Sequence, residues 1–211
     1  MRPLAFQVSV AVALLAAAPP APAQRIERRN DDAVLVLPAA MQAALQAFDS
    51  TFVPRRLSDY APGHYDRRCP APPDCPEPWY QITDRQALFA AAGDFNGDRI
   101  LDVVLDGENA REGARLIIMS DGSRFRVAIL HSLGVVPARI RQFRERPRAP
   151  DEAELGVGEG LAVVGPGTIR SEFEAEPLVL TTDAFVLHYF EKAAVIYYYR
   201  NGVWRSYTIS D

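Results

Sequence analysis

The chain has 211 residues, of which 48% are hydrophobic and 24% are charged, and it contains 17 prolines and 2 cysteines. These proportions exclude a collagen-like chain, a disulfide-dense scaffold and a largely disordered protein, because the apolar content suffices for a core. The formal net charge of -4 at pH 7 provides no broad cationic surface for phosphates, so we expect no nucleic-acid partner.

The N-terminus has the pattern of an export signal. Arg2 precedes an apolar stretch over residues 4–18, which is shorter than the roughly 18 residues of a membrane-spanning helix. Ala21 and Ala23 then place small side chains at the two positions that a signal peptidase reads. We predict a signal peptide over residues 1–23 with cleavage after Ala23; the alternative is an uncleaved anchor. No second apolar run of spanning length follows, so we expect a periplasmic or secreted mature chain without a transmembrane segment.

The first part of the mature chain, residues 24–86, is predicted to contain a helix and a Pro-rich segment. Residues 24–32 are mostly polar, and we expect them to be frayed. From Pro38 to Phe48, apolar residues recur at helical spacing, which predicts one amphipathic helix that ends at Asp49. The prolines of residues 51–86 predict a long irregular segment.

Two cysteines, Cys69 and Cys75, lie within this Pro-rich segment. In an oxidising compartment, two thiols at this separation are expected to form a disulfide. The closed ring would be small and would contribute about 2 to 3 kcal/mol in the chain-entropy model, so we expect it to pin one loop. The alternative is a zinc site, for which His64 is the nearest further ligand.

The remainder, residues 87–211, is predicted to be a β-rich domain that forms one globular unit with the earlier part (24–211). Short apolar runs alternate here with Gly, Asn and Asp, and the dipeptides Asp121-Gly122 and Asn201-Gly202 predict hairpin turns. The charged segment 139–159 is expected to be a surface loop or short helix. The predicted strands are Leu88–Ala92, Leu101–Leu105, Arg115–Met119, Phe125–Leu130, Ala184–Phe190, Ala194–Tyr199 and Val203–Ile209.

These elements together predict the fold class. We expect a mainly β (α+β) protein in which an antiparallel or mixed sheet, or a small sandwich, of about seven strands packs against one N-terminal amphipathic helix.

One loop of the β-rich domain carries oxygen atoms at alternating positions. The five positions, counted as one, three, five, seven and nine, are Asp94, Asn96, Asp98, Ile100 (through its carbonyl) and Asp102. Alternate residues of a tight loop can direct their oxygens to one centre, and a hard divalent cation binds six to eight oxygens. Three carboxylates so close together would repel one another without a cation. The pattern therefore predicts a Ca2+ site, with an acidic turn that binds no ion as the alternative.

The segment from 88 to 130, with Gly93-Asp94-Phe95-Asn96-Gly97-Asp98 at its centre, resembles the FG-GAP or VCBS family of secreted bacterial and integrin-like repeats. The hallmark of that family is a GDxNGDGxxD loop between two strands. The resemblance implies that Asp94, Asn96, Asp98 and Asp102 bind calcium and that Gly93 and Gly97 form the turn. Family members assemble several repeats into a β-propeller; one repeat is too few, and we expect no complete propeller.

Two departures from calcium-loop patterns weaken the predicted site. Arg99 replaces the second glycine of the family motif, where a left-handed backbone costs a non-Gly residue about 1 kcal/mol. Leu105 occupies position twelve, where an EF-hand has a bidentate Glu. We therefore expect a dissociation constant of about 0.1 to 1 mM.

Sequence templates for catalysis are missing: there is no GxSxG, HExxH or CxxCH motif. We expect an exported, calcium-stabilised β-rich module that binds an unknown protein, envelope or glycan component and is not an enzyme. One alternative is an extracytoplasmic hydrolase whose Asp and His residues, including His131 or His188, converge only in the fold. Another is a structural protein whose acidic loop binds no ion.

Overall fold

A computed structural model describes residues 24–29, 32–60, 81–134, 157–190 and 192–210. The predicted signal peptide with its cleavage site after Ala23 lies outside these residues, as does the predicted disulfide between Cys69 and Cys75. Most of the segment predicted to be a surface loop or short helix, residues 139–156, lies outside them too.

The described residues are mainly β, with one α-helix and fourteen strands, and they form no closed barrel. This confirms the predicted fold class. All seven predicted strands are present, and seven further short or irregular strands accompany them. In chain order the strands are β1 (Arg25–Arg29), β2 (Asp32–Val36), β3 (Val53–Pro54), β4 (Gln86–Ala87), β5 (Ala90–Gly93), β6 (Asp102–Glu108), β7 (Gly113–Asp121), β8 (Arg124–Gly134), β9 (Glu159–Val164), β10 (Gly167–Ile169), β11 (Leu178–Leu180), β12 (Ala184–Tyr189), β13 (Ala193–Arg200) and β14 (Val203–Ser210).

The helix α1 (Ala39–Phe48) confirms the prediction from apolar spacing. Pro38 precedes its first residue, and the N–H of Asp49 donates a hydrogen bond to the carbonyl of Leu45 at 2.9 Å where the helix ends. Its buried residues, Met41 and Leu45, belong to the apolar cluster that includes strands β5 to β7. The helix therefore covers the outer face of the β-rich part.

Two antiparallel sheets form the body of the molecule. The first sheet has the order β4-β5-β6-β7-β8, and β3 pairs additionally with β6; the second sheet has the order β14-β13-β12-β9. Both predicted hairpins are present. Asn201 and Gly202 have φ angles of 53° and 81°, as a type I′ turn requires, and Gly122 has a φ of 65° in the turn between β7 and β8.

Strand alternation separates the buried side chains into layers. On β6, Val103 and Leu105 face the helix side, whereas Val104 faces the second sheet. On β12, Phe185 and Leu187 join Val104 in the layer between the two sheets. The other face of the second sheet packs against the β10–β11 hairpin through a separate cluster. The molecule is therefore a sandwich with a further covering on each outer face.

The sandwich is joined along one side, where β9 lies against β4 and β5. The N–H of Leu161 donates to the carbonyl of Leu88 at 2.8 Å, and the N–H of Val163 donates to the Gln86 side-chain carbonyl at 2.9 Å. On the opposite side, the last strands of the two sheets, β8 and β14, both line one groove. The two sheets thus meet on one side and diverge on the other.

The prediction of a frayed start was wrong. Residues 25–29 and 32–36 pair as an antiparallel hairpin in which Arg29 lies opposite Asp32. The polar run conceals an alternation: Ile26 and Ala33 are buried, and the N–H of Ile26 donates to the carbonyl of Asp84 at 2.8 Å. The strand is held by the packing of Ile26, by this hydrogen bond and by another from the Arg28 guanidinium to the carbonyl of Ile82 at 3.0 Å.

The last residue of the expected loop or helix, Glu159, instead begins strand β9. Within the described part of the chain, no helix is both long and apolar enough to cross a membrane.

Candidate functional site

The predicted calcium loop connects β5 to β6, and we refer to residues 94–102 as the acidic loop. It contains two left-handed residues, Gly97 with a φ of 83° and Arg99 with a φ of 69°. Arg99 therefore has the strained backbone expected at the position where the family motif has glycine. The loop follows a tight path that returns the chain into β6.

The acidic loop is held together by its own side chains. The carboxylate of Asp94 accepts the N–H of Gly97 at 2.7 Å and the N–H of Arg99 at 3.0 Å. The Asn96 side-chain carbonyl accepts the N–H of Asp98 at 3.0 Å, and Asp98 in turn accepts the N–H of Ile100 at 2.8 Å. Alternate residues thus direct oxygens toward the interior of the loop, as the spacing predicts.

Ser120 on β7 connects the acidic loop to the first sheet. Its hydroxyl donates to the carboxylate of Asp98, and its N–H donates to the carboxylate of Asp102 at 2.7 Å. The Asn96 amide donates to the Ser120 carbonyl at 3.0 Å. Burial raises the pKa of Asp98, but the hydrogen bonds from Ser120, Ile100 and Asn96 outweigh it and leave that pKa below its ordinary value.

Asp102 is fully buried, and burial is the main reason that its pKa rises to about 7. Backbone hydrogen bonds from Ser120 and Phe95 partly oppose this shift, while the nearby charge of Asp98 adds to it. A buried carboxylate of this kind is costly to ionise unless a positive charge lies close to it.

Asp183, just before β12, connects the acidic loop to the second sheet. Its carboxylate accepts the N–H of Asp94 at 3.0 Å and pairs with Arg85, and its N–H donates to the carbonyl of Asp94 at 3.1 Å. The Thr182 hydroxyl also donates to the carbonyl of Phe95 at 3.3 Å. The loop is thereby tied to both sheets. The sequence pattern indicates neither Ser120 nor Asp183 as a partner of the loop, because neither belongs to a local motif.

The predicted ligand set fits a calcium ion in its chemistry. All its atoms are oxygens, three of its side chains are carboxylates, and burial destabilises the charged form of one of them. In the present arrangement, His, Cys, Asp and Glu side chains of the described residues form no metal-binding group of three or more. The Asn96 amide nitrogen, which lies 3.3 Å from Asp98, would have to turn away so that its oxygen could bind the ion.

A groove runs between the edges of the two sheets. One part, the arginine chamber, has a volume of about 230 Å³ and is lined among others by Arg115, His131, Tyr189, Tyr197, Trp204 and Arg205. The other part, the loop chamber, has a volume of about 470 Å³ and is lined among others by Asn96, Met119, Ser120, Asp121, Arg126 and Trp204. Trp204 lines both chambers, and Asn96 and Ser120 place the acidic loop at one end of the groove.

A buried ion network supports the floor of the arginine chamber. The Arg115 guanidinium makes two hydrogen bonds to Asp106, at 2.7 and 2.8 Å, and a third to Glu159 at 3.1 Å. Arg55 lies 3.7 Å from the Oδ2 atom of Asp106, which also accepts one of the hydrogen bonds from Arg115. Burial opposes the charge of Arg115, but its two acidic partners raise its pKa overall, so the guanidinium stays charged.

The structure places the two candidate catalytic histidines in different environments. His188 lies on β12, where burial lowers its pKa to about 4 and keeps the ring neutral. His131 lies on β8, is exposed and lines the arginine chamber. The acidic loop borders the loop chamber, whereas His131 lines the arginine chamber and His188 is among the described lining residues of neither chamber.

Comparison with models of known protein families, with curated proteins and with solved structures finds no match to this chain.

Proposed function

We propose that the protein is an exported binding module with no catalytic activity, in which a calcium ion in the acidic loop stabilises the sandwich and the groove receives the ligand. The observation that supports this most directly is the position of the loop. Its carboxylates bond to Ser120 of the first sheet, and its backbone bonds to Asp183 beside the second sheet. An ion bound there would stabilise the contacts of the loop with both sheets.

The ion would be held by Asp94, Asn96, Asp98, the carbonyl of Ile100 and Asp102. A bound divalent cation would offset the negative charge of the three carboxylates, including the buried Asp102. Since Asn96 and Ser120 already donate to Asp98, the ion competes with internal hydrogen bonds. This competition and the strain at Arg99 support the expectation of weak binding.

The groove supports binding rather than catalysis. Its walls are largely aromatic and apolar, which is typical of recognition sites. The more buried candidate base, His188, has its pKa lowered to about 4 and lies outside the set of residues that line the arginine chamber. Secretion or a periplasmic location remains part of the proposal and rests on the N-terminal export pattern.

The experiment is a thermal melt of the mature chain in 10 mM calcium and in chelator. With a dissociation constant of about 0.1 to 1 mM, binding to the folded state alone adds about 1.4 to 2.7 kcal/mol, so the midpoint should rise by several degrees. Asp98→Ala should abolish the rise. Asp121→Ala removes an equal charge from an exposed acid beside the loop and should keep it. An unchanged midpoint, or the same rise in Asp98→Ala, would contradict the calcium site.

A further inference from the structure

The chain contains the dipeptide Asn-Gly twice, at Asn96-Gly97 in the acidic loop and at Asn201-Gly202 in the turn between β13 and β14. An asparagine amide is chemically labile where a glycine follows it, because glycine has no Cβ to hinder the approach of its nitrogen to the asparagine side chain. The two sites have the same local chemistry. A difference between their reactivities must therefore come from the fold.

The reaction at such a dipeptide is an intramolecular attack followed by hydrolysis. The glycine nitrogen bonds to the side-chain carbonyl carbon of the asparagine, the bond from that carbon to the amide nitrogen breaks, and that nitrogen leaves as ammonia with the proton of the glycine N–H. Water then opens the cyclic imide at one of its two carbonyls. One opening gives aspartate, and the other gives isoaspartate, in which the main chain runs through the side-chain carbon. Overall, one water is consumed and one ammonia is released.

In the acidic loop, hydrogen bonds restrain both reacting groups. The Gly97 N–H donates to the Asp94 carboxylate at 2.7 Å. The Asn96 side chain accepts the N–H of Asp98 at 3.0 Å, and it donates to the carbonyl and the hydroxyl of Ser120 at 3.0 and 3.1 Å. The side chain and the following peptide group must rotate toward each other before the ring can close, so these hydrogen bonds have to break first. The folded loop therefore protects Asn96.

The same two groups have no such restraint at Asn201-Gly202. Both residues are exposed, and neither the Asn201 side chain nor the Gly202 N–H makes a hydrogen bond to another described residue. A Cβ atom added at Gly202 would meet nothing within 4 Å, so the space around the turn is open. Rotation of the reacting groups opens only a two-residue turn next to β14, which is the last described strand of its sheet. Ring closure is therefore easier here than in the acidic loop.

The two products differ in their effect on this turn. Asp-Gly forms type I′ turns as Asn-Gly does, so the aspartate product can keep the hairpin. Isoaspartate adds one carbon to the main chain, and the register of a hairpin depends on the length of its loop. In the present register Tyr199 lies opposite Trp204 beside the turn, their rings pack at 5.4 Å, and both line the loop chamber. Isoaspartate in the turn would loosen this pair.

We propose that Asn201 is a site of spontaneous modification, at which the folded protein converts asparagine to aspartate and isoaspartate without an enzyme, and that the acidic loop protects Asn96 from the same reaction. Water is the co-reactant. The proposal goes beyond the proposed function and is independent of it, since it needs neither a bound calcium ion nor a ligand in the groove.

The test is incubation of the mature chain at pH 8, with chelator, in water labelled with heavy oxygen. Digestion in ordinary acidic water and mass spectrometry then measure the label in the two Asn-Gly peptides, so that modification during the digestion is not counted. The hydrogen bond from Gly97 to the Asp94 carboxylate is charge-assisted, so we expect the folded protein to react at least about tenfold faster at Asn201 than at Asn96. In guanidinium chloride the two rates should be similar.

Two variants provide the controls. Asn201→Gly keeps a residue that tolerates a positive φ and should give no labelled product in the turn peptide. Asn201→Asp has the charge of the modified protein without the added main-chain carbon. Wild-type protein rich in isoaspartate should therefore unfold at a lower denaturant concentration than Asn201→Asp. Equal midpoints would refute the loosening of the hairpin.

Two results would overturn the proposal itself. One is the absence of labelled product at Asn201 in the folded protein. The other is an equal rate at Asn96 and Asn201 in the folded protein, which would mean that the hydrogen bonds of the acidic loop give no protection.

Discussion

Arg99 concentrates backbone strain in the acidic loop. Its φ of 69° lies in the left-handed region, which costs a residue with a side chain about 1 kcal/mol. The Asp94 carboxylate accepts the Arg99 N–H and compensates for part of this cost. Such strain persists where the surrounding structure over-determines the conformation, and it occurs preferentially at functional loops.

Replacement of Arg99 by glycine should therefore stabilise the protein. We expect Arg99→Gly to raise the free energy of unfolding by up to about 1 kcal/mol, since the strain relieved exceeds the added entropy of the unfolded chain. Calcium affinity should rise as well if the ion binds the loop. Urea unfolding measures the first effect. Asn201→Gly is the matched control, because asparagine tolerates its φ of 53° at low cost and should gain less. A loss of stability in Arg99→Gly would refute the strain argument.

His188 should make the stability depend on pH. Burial lowers its pKa to about 4, below the ordinary value of 6.5, so on acidification the unfolded chain takes up the proton first. The contribution of the neutral His188 ring to the free energy of unfolding is fully present above about pH 6.5 and is lost as the pH falls through 4. Asp102, with a pKa raised to about 7, acts in the opposite direction, because its contribution is lost as the pH rises through 7.

The measurement is the unfolding free energy of the wild type and of His188→Gln between pH 4 and 7. Because both proteins contain Asp102, the difference between their unfolding free energies reports on His188 alone. The advantage of the wild type should shrink, or the variant should become the more stable protein, as the pH falls. His131→Gln, at the exposed histidine, should follow the wild type. Parallel pH curves for wild type and His188→Gln would argue against the neutral buried ring.

At the scale of elements, the closed side of the sandwich depends on a close approach of β9 to its neighbours. A Cβ atom at Gly160 would lie 2.9 Å from Leu88 and 3.0 Å from Phe190. Because packed interiors have no room for an added methyl group, the side chains there would have to move.

Gly160→Ala should accordingly destabilise the protein by about 1 to 3 kcal/mol, as overpacking does in other cores. Gly158→Ala is the control two residues away, where an added Cβ would meet nothing within 4 Å. It should change stability by less than about 0.5 kcal/mol. Denaturant unfolding of both variants checks the pair, and equal effects would show that the contact at Gly160 is unimportant.

Strands with a local signal could be predicted, and strands held by distant contacts could not. Asn201-Gly202 marks its hairpin because both residues have positive φ angles there. In contrast, β1 contains a single buried apolar residue, Ile26, and is held by the carbonyl of Asp84. Strand β9 begins at Glu159, beside a charged and proline-rich segment that favours a loop. Neither strand has a periodicity long enough to recognise.

The same distinction applies to the site. The spacing of Asp94, Asn96 and Asp98 predicts a self-bonded acidic loop, and that loop is present because its hydrogen bonds join residues two to five positions apart. Ser120 and Asp183 reach the loop from positions far along the chain. The groove likewise exists only because β8 and β14 come to the same side.

At the scale of the whole molecule, the two large sheets are built from separate stretches of the sequence. Every ladder of the first sheet lies between residues 53 and 134, and every ladder of the second lies between 159 and 210. Among the described residues outside these ladders, a bridge between Tyr60 and Val157 links the two parts. Each sheet is thus a local product of its own stretch of chain.

This division allows the two sheets to form separately. Pairing within one half of the chain closes smaller loops, and so loses less entropy, than pairing between the two halves would. A chain that emerges N-terminus first can pair β3 to β8 before β9 is available. The late step is then the docking of two preformed sheets at Leu88 and Leu161 and at Asp94 and Asp183. Until that docking occurs, Phe185 and its neighbours remain exposed to water. We therefore expect the risk of aggregation to be greatest after the two sheets have formed and before they dock.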